Sequence, residues 1–284
     1  MNSPSSLDTS GRYDAIVVGA RCAGSPTAML LARKGYKVLL VDRATFPSDT
    51  ISTLIIHPPG VSALRRWGLL DRLTETGCPP IDRYVFDFGP FKVTGSPGTP
   101  ESPVTYAPRR TVLDKMLVDA AAESGAEVRE GFTVEQVLSD EHGRVTGIRG
   151  REKGGRMVTE TARVVVGADG RHSRIAKTVA AQEYNVRPEL NAAYYTFFSG
   201  LPVSDMEIYA RDWRGIAAWP TNEGLTLVLT GWPYSEFETN RKDVQGSFWS
   251  TVDLVPEFAS RVRAARQEER IAGAGLRNFF RKPY

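Results

Sequence analysis

Tyr13-Asp-Ala-Ile-Val-Val-Gly19 is an apolar run that ends on glycine, and it constrains everything downstream. Such a run is what a buried parallel strand requires, and the glycine lets the chain turn tightly into the next element. Ala23 to Lys34 is rich in helix formers, sets Thr27, Leu30, Leu31 and Lys34 at helical spacing, and stops at Gly35, so it predicts a helix. Lys37-Val-Leu-Leu-Val-Asp42 predicts a second strand, ending in a carboxylate. Strand, turn, helix and strand in about 30 residues make a βαβ unit, whose crossover is right-handed almost without exception.

The remaining pattern extends this start. After Pro58-Pro59-Gly60, a short helix is expected over Val61 to Leu73. Arg83-Tyr-Val-Phe-Asp-Phe88 alternates, with Tyr84, Phe86 and Phe88 on one face, as a half-buried antiparallel strand would. From Arg110 to Ser124, residues Leu113, Met116, Leu117, Ala120 and Ala121 form a helical stripe closed by Gly125. Strands follow at Ala126–Glu130, Thr133–Leu138 and Val145–Arg149, and Thr161–Val166 runs into Gly167-Ala-Asp-Gly170.

Beyond residue 185 aromatics crowd together: Tyr194, Tyr195, Phe197, Phe198, Trp213, Trp219 and Trp232 among them. They predict an antiparallel sheet, to which Arg83–Thr105 also belongs. Most would be sheet core, and two or three would line an apolar pocket. The expected fold class is α/β: a Rossmann-like dinucleotide-binding domain with a parallel sheet and a β-meander, plus an α+β substrate domain. The expected boundaries are a tail at 1–12, the nucleotide domain at 13–80 and 106–185, and the substrate domain at 81–105 and 186–284.

Composition narrows the function classes. A net charge of +3, with Lys and Arg scattered among nearly as many Asp and Glu, is a solvated surface and not a nucleic-acid footprint. Two cysteines, Cys22 and Cys78, are too few for a disulfide framework or a thiolate metal site, and His57, His142 and His172 are too dispersed for a metal helix motif. No window reaches the roughly 20 apolar residues of a spanning helix. Met1–Arg12 lacks the pattern of a signal peptide, so a cytoplasmic address is expected. Hard chemistry in such a chain calls for an organic cofactor.

Gly19-Ala-Arg-Cys-Ala-Gly24 occupies the turn between strand and helix, where backbone N–H groups and the positive end of a helix face a pyrophosphate. Gly19 serves the turn, and Gly24 with Ala28 serves close helix packing. Arg21 stands where a middle glycine is usual; its side chain limits backbone approach and offers a guanidinium instead. Asp42 lies 42 − 19 = 23 residues past the first glycine, near the spacing of a ribose-binding carboxylate. Ser25-Pro26 excludes a P-loop.

These residues, with Arg110 in Arg110-Thr-Val-Leu-Asp-Lys-Met-Leu117 and Gly167-Ala-Asp-Gly-Arg-His-Ser173, resemble the FAD-dependent monooxygenase and reductase superfamily of aromatic hydroxylases and geranylgeranyl reductases. The resemblance covers residues 13 to about 180. It implies FAD as cofactor, NAD(P)H as transient reductant, molecular oxygen as co-substrate, and an apolar or aromatic small-molecule substrate, with access to lipid-like ones. It implies that Gly19, Ala20, Ala23 and Gly24 hold the pyrophosphate, with Arg21 beside them, and that Asp42 takes the adenosine ribose and Arg43 the adenine end. Arg110 would reach the flavin, Val134 would offer backbone to adenine, and Asp169 with Gly170 would lie near the pyrophosphate. Read alone, Asp169 is also a residue that caps a strand-to-helix turn.

Relatives in that superfamily close the flavin site with a later Gly-Asp element. None occurs here, and Asn278-Phe-Phe-Arg-Lys-Pro-Tyr284 resembles the residues leading toward it, so a sequence truncated before that element is expected. The resemblance implies a monooxygenase first, a reductase of isoprenoid double bonds second, and a catalytically silent nucleotide-binding module third.

Overall fold

The structure, a computed structural model, describes residues 12–275 and 277–283. In chain order it contains β1 (Tyr13–Val18), α1 (Gly24–Ala32), β2 (Val38–Asp42), α2 (Pro58–Arg66) and α3 (Leu70–Glu75). Four short strands follow, β3 (Pro80–Ile81), β4 (Tyr84–Asp87), β5 (Lys92–Gly95) and β6 (Thr105–Tyr106), and then α4 (Arg110–Glu123). Next come β7 (Glu127–Glu130), β8 (Thr133–Ser139), β9 (Val145–Arg151), β10 (Met157–Gly167) and α5 (Arg174–Thr178). The last part holds β11 (Glu183–Arg187), β12 (Asn191–Ser199), β13 (Met206–Arg211), β14 (Arg214–Pro220) and β15 (Leu225–Pro233). It continues with α6 (Phe237–Asn240), α7 (Val244–Val252), α8 (Pro256–Ala264), β16 (Arg266–Gln267), β17 (Ala272–Gly275) and β18 (Asn278–Arg281).

The described residues form two compact units. The first, 12–48, 111–182 and 281–283, contains a six-stranded sheet in the order β7-β2-β1-β10-β9-β8. Its first four strands pair in parallel. The antiparallel pairs β10–β9 and β9–β8 complete the meander. Ile16, Val18, Leu39, Val41, Phe132 and Ile148 fill one core cluster. The expected Rossmann-like α/β fold with a β-meander is therefore what forms.

The second unit, 49–110 and 183–280, is built on a sheet ordered β16-β12-β15-β14-β13-β4-β5, with β17 also paired to β12. Its two faces bury different sets of residues. Phe198, Ile216 and Val228 pack with Phe248, Val252, Phe258 and Val262 of α7 and α8. Tyr195, Phe197, Trp219 and Leu227 pack with Leu54, Ile81, Tyr84 and Ala107.

Several sequence expectations change here. Residues 49–80 cluster with the second unit, because Leu54 lies in its core and Ile56 pairs with Tyr106. The helix over Val61 to Leu73 is two helices, separated where Gly68 takes a φ of +73°. In β4 the buried residues are Tyr84 and Asp87, while Phe86, and Phe88 just beyond the strand, are exposed and stack on each other. That strand pairs antiparallel with β5 and parallel with β13.

Candidate flavin-binding site

The turn after β1 is shaped by what stands behind it. Gly19 has a φ of +104°, and a Cβ there would lie 2.4 Å from the Ala168 carbonyl oxygen. A Cβ on Gly24 would lie 1.7 Å from the Gly19 oxygen. Both positions thus exclude any side chain, one because β10 runs past it and the other because α1 starts against the turn. The N–H of Gly19 donates to Val41 and that of Ala168 to Val18, at 2.8 and 2.7 Å, so the ends of β1, β2 and β10 are knitted together.

Asp42 closes the other side. Its Oδ2 accepts from the Ala20 N–H at 2.7 Å and its Oδ1 from the Ala44 N–H at 2.8 Å. Each carboxylate oxygen keeps a further lone pair, so hydroxyl donors can still bind. Among the described residues no acceptor of this chain takes the N–H groups of Ala23 and Gly24. Gly24 is buried, and no acidic residue stands in the first turn of α1. Unpaired donors at an uncompensated positive helix end suit a pyrophosphate, so these residues fit a dinucleotide cofactor.

Arg21 is directed elsewhere. Its guanidinium pairs with the carboxylate of Asp114, which is fully buried in α4, and donates to the Ser48 hydroxyl at 2.8 Å. It also lies 5.3 Å from the ring centre of Phe46. The Cys22 thiol donates to the other Asp114 oxygen at 3.4 Å. Asp114 escaped the sequence reading, yet it sits three residues before Leu117 and seven before Ala121 on the apolar stripe. A carboxylate on a buried face requires a partner, and that was the available signal.

Asp169 works on the helix that follows it. One oxygen accepts from the Ser173 hydroxyl, and the other from the N–H of Arg174 at 2.6 Å and of Ile175 at 3.3 Å. Ser173 in turn accepts from the Ala176 N–H. Gly170 adopts a φ of +82° to make this turn. The structure thus draws Gly19, Ala20, Gly24, Asp42 and Asp169 around one turn. Arg43 is exposed, Arg110 opens α4 half-buried, and the Val134 carbonyl accepts from Arg174 Nη1 at 3.1 Å.

The FAD binding domain family matches residues 12–253. The chain belongs to that family. It is 34% identical over 170 residues to digeranylgeranylglycerophospholipid reductase 2 of Methanopyrus kandleri, across 58% of this chain and 39% of that protein. It is 40% identical over 81 residues to squalene epoxidase of Saccharomyces cerevisiae, across 28% of this chain and 16% of that protein. The chain therefore spans less than half the length of these curated relatives. Among solved structures, the FAD-dependent chondrochloren halogenase of a myxobacterium shares the fold with a TM-score of 0.87 and 23% identity, over 95% of this chain and 65% of that one. Among the described residues no helix is long and apolar enough to cross a membrane.

In the second unit one polar residue stands apart, and the sequence reading passed over it in favour of its neighbour Arg110. Arg109 is 8% exposed, and its guanidinium lies 4.0 Å from the ring centre of Phe197. Its Nη2 donates to Glu269 Oε1 at 2.5 Å and is 3.5 Å from Asp49 Oδ2. Its backbone N–H donates to Asn222 Oδ1 at 2.9 Å. Close by in sequence register, burial pushes the Tyr195 hydroxyl above the usual phenol range while it accepts from the Ser52 N–H.

Proposed function

We propose that this chain is the cofactor-holding part of a flavin-dependent monooxygenase that hydroxylates or epoxidises a small apolar or aromatic molecule, with NAD(P)H as reductant and molecular oxygen as co-substrate. The observation that carries the reading is the turn itself: buried Gly24 with an unpaired N–H, an uncompensated helix end, and Asp42 across from it. The squalene epoxidase relative supports the choice of reaction. When bound, FAD supplies hydride-accepting and oxygen-activating chemistry.

In this reading the N–H groups of Ala23 and Gly24 hold the pyrophosphate, while Gly19 and Ala20, whose own N–H groups bond Val41 and Asp42, shape the turn around it; Asp42 takes the ribose, with Arg43 at the adenine end. Arg21 acts through the turn: pairing with Asp114 fixes its backbone and keeps the guanidinium from blocking the N–H groups. Asp169 and Gly170 hold the β10 end against Gly19 by capping α5. Arg110 is the flavin-side cation and Val134 an adenine-edge backbone contact. Two or three aromatics of the second unit would line the apolar pocket for substrate.

A second reading, reduction of isoprenoid double bonds, is favoured by the longer match to the digeranylgeranylglycerophospholipid reductase. Turnover with and without oxygen separates the two. Oxygen-dependent product with bound FAD supports monooxygenation, and product formed under nitrogen overturns it in favour of the reductase. A chain that takes up no FAD on titration overturns both and leaves a silent nucleotide-binding module.

A further inference from the structure

We propose that Arg109 is a carboxylate-binding residue, and that the substrate is an apolar or aromatic molecule carrying a carboxylate. The proposal rests on the reading of the chain as an oxidoreductase of such molecules and adds the charged group that the second unit selects.

A guanidinium cannot shed its proton, so a buried one must hold an anion. Arg109 holds its anions incompletely. Glu269 takes Nη2, while Nε is buried and without a partner. Nε and Nη2 form one edge of the planar fork, and a carboxylate that spans this edge satisfies both donors at once. Glu269 occupies half of a two-pronged site.

A second orphaned donor points the same way. The indole Nε1 of Trp219 is buried and unpartnered, and Trp219 is 4% exposed. Phe197 and Trp219 both lie opposite Leu227, one on each side of β15, so the ring beneath Arg109 and the indole share one face of the sheet. Two unpaired buried donors on one sheet face are complementary to an acceptor-rich ligand, because each buried unmade hydrogen bond is costly.

The anions that hold Arg109 are themselves well exposed. The side chain of Glu269, which takes Nη2, is 39% exposed against 10% for Arg109, so this carboxylate can turn into water and stay solvated. Exchange of a protein carboxylate for a ligand carboxylate keeps the buried charge paired.

The test titrates the chain with benzoate and with its neutral counterpart benzamide, followed by calorimetry, while FAD uptake is read separately from visible absorbance. Benzoate should bind about tenfold or more tightly than benzamide, as expected of a hydrogen bond to a charged group. Arg109→Gln should erase the preference, and Arg109→Lys, which keeps the charge but lacks the edge, should restore only part of it. Glu269→Gln should tighten benzoate binding several-fold, because the internal competitor is gone, whereas a merely structural ion pair would give no such gain. Equal affinities, no binding of either probe, a preference that survives Arg109→Gln, or weaker benzoate binding in Glu269→Gln each overturn the proposal. If Arg109→Gln fails to fold, the Glu269→Gln result decides. Benzoate preference without FAD uptake would overturn the oxidoreductase reading and leave the carboxylate site, while FAD uptake without preference would overturn the site alone.

Discussion

The guanidinium of Arg21, in the turn between β1 and α1, is ion-paired with Asp114, a fully buried carboxylate 93 residues away on α4. Asp114→Asn should leave Arg21 short of its anion. The expected loss is about 2–3 kcal/mol, below that of a fully buried pair because the Arg21 side chain is 26% exposed. Urea unfolding measures this, and the Arg21→Gly/Asp114→Leu double variant, which removes both charges, should recover most of the loss. A double variant as unstable as Asp114→Asn would refute the pairing as the cause.

Gly24→Ala forces a methyl group to within 1.7 Å of the Gly19 oxygen, so α1 must shift off the turn. Stability should fall by roughly 2 kcal/mol or more, with loss of FAD binding. Gly35→Ala is the control: its φ is +84° but nothing lies within 4 Å, so it should cost about 1 kcal/mol and leave FAD affinity intact.

Asp42→Ala should weaken FAD binding by about 1.5–3 kcal/mol, the range for hydrogen bonds to a charged group. Asp169→Ala should also weaken it, together with a loss of about 1 kcal/mol in stability from the uncapped α5. FAD fluorescence titrations and thermal melts on the two variants check the pair, and unchanged affinity in both would remove these residues from the site.

The two thiols should behave differently. Cys78 is 3% exposed, and burial pushes its thiol up to about 11, so at about pH 8 it should resist iodoacetamide until the protein unfolds. Cys22 is exposed beside the turn and should be alkylated in the native state. Saturating FAD should protect Cys22; equal labelling rates with and without FAD would place the cofactor elsewhere.

Asp87 sets an acid limit for the β4–β5 hairpin. Burial raises its carboxyl, but the Gly89 N–H and the cations Lys92 and Arg211 outweigh this and hold it below the usual carboxylate range. A depressed folded-state value means the stabilisation is fully present above about pH 4, the unfolded range, and is lost as pH falls through the lower folded value. The difference in urea midpoint between the native chain and Asp87→Asn should therefore stay constant from neutral pH to about pH 5 and shrink only below about pH 4.

What could be read from residue order was local. An apolar run, a glycine, a 3.6-residue stripe and a carboxylate at the end of the next strand need only near neighbours, so β1, α1, β2, α4 and the turn between Gly19 and Gly24 were legible, and the family's motifs carried FAD with them. Partnership across the chain was not legible. Nothing near Arg21 in sequence announces Asp114, and nothing in Arg109-Arg110 says which of the two is buried on Phe197. Phe86 and Phe88 alternate as a buried face should, yet both are exposed and stack on each other, with Phe91 of the same hairpin against Phe88. Periodicity reports which way a side chain points along its own element; only the packing of distant segments decides whether anything is there to meet it.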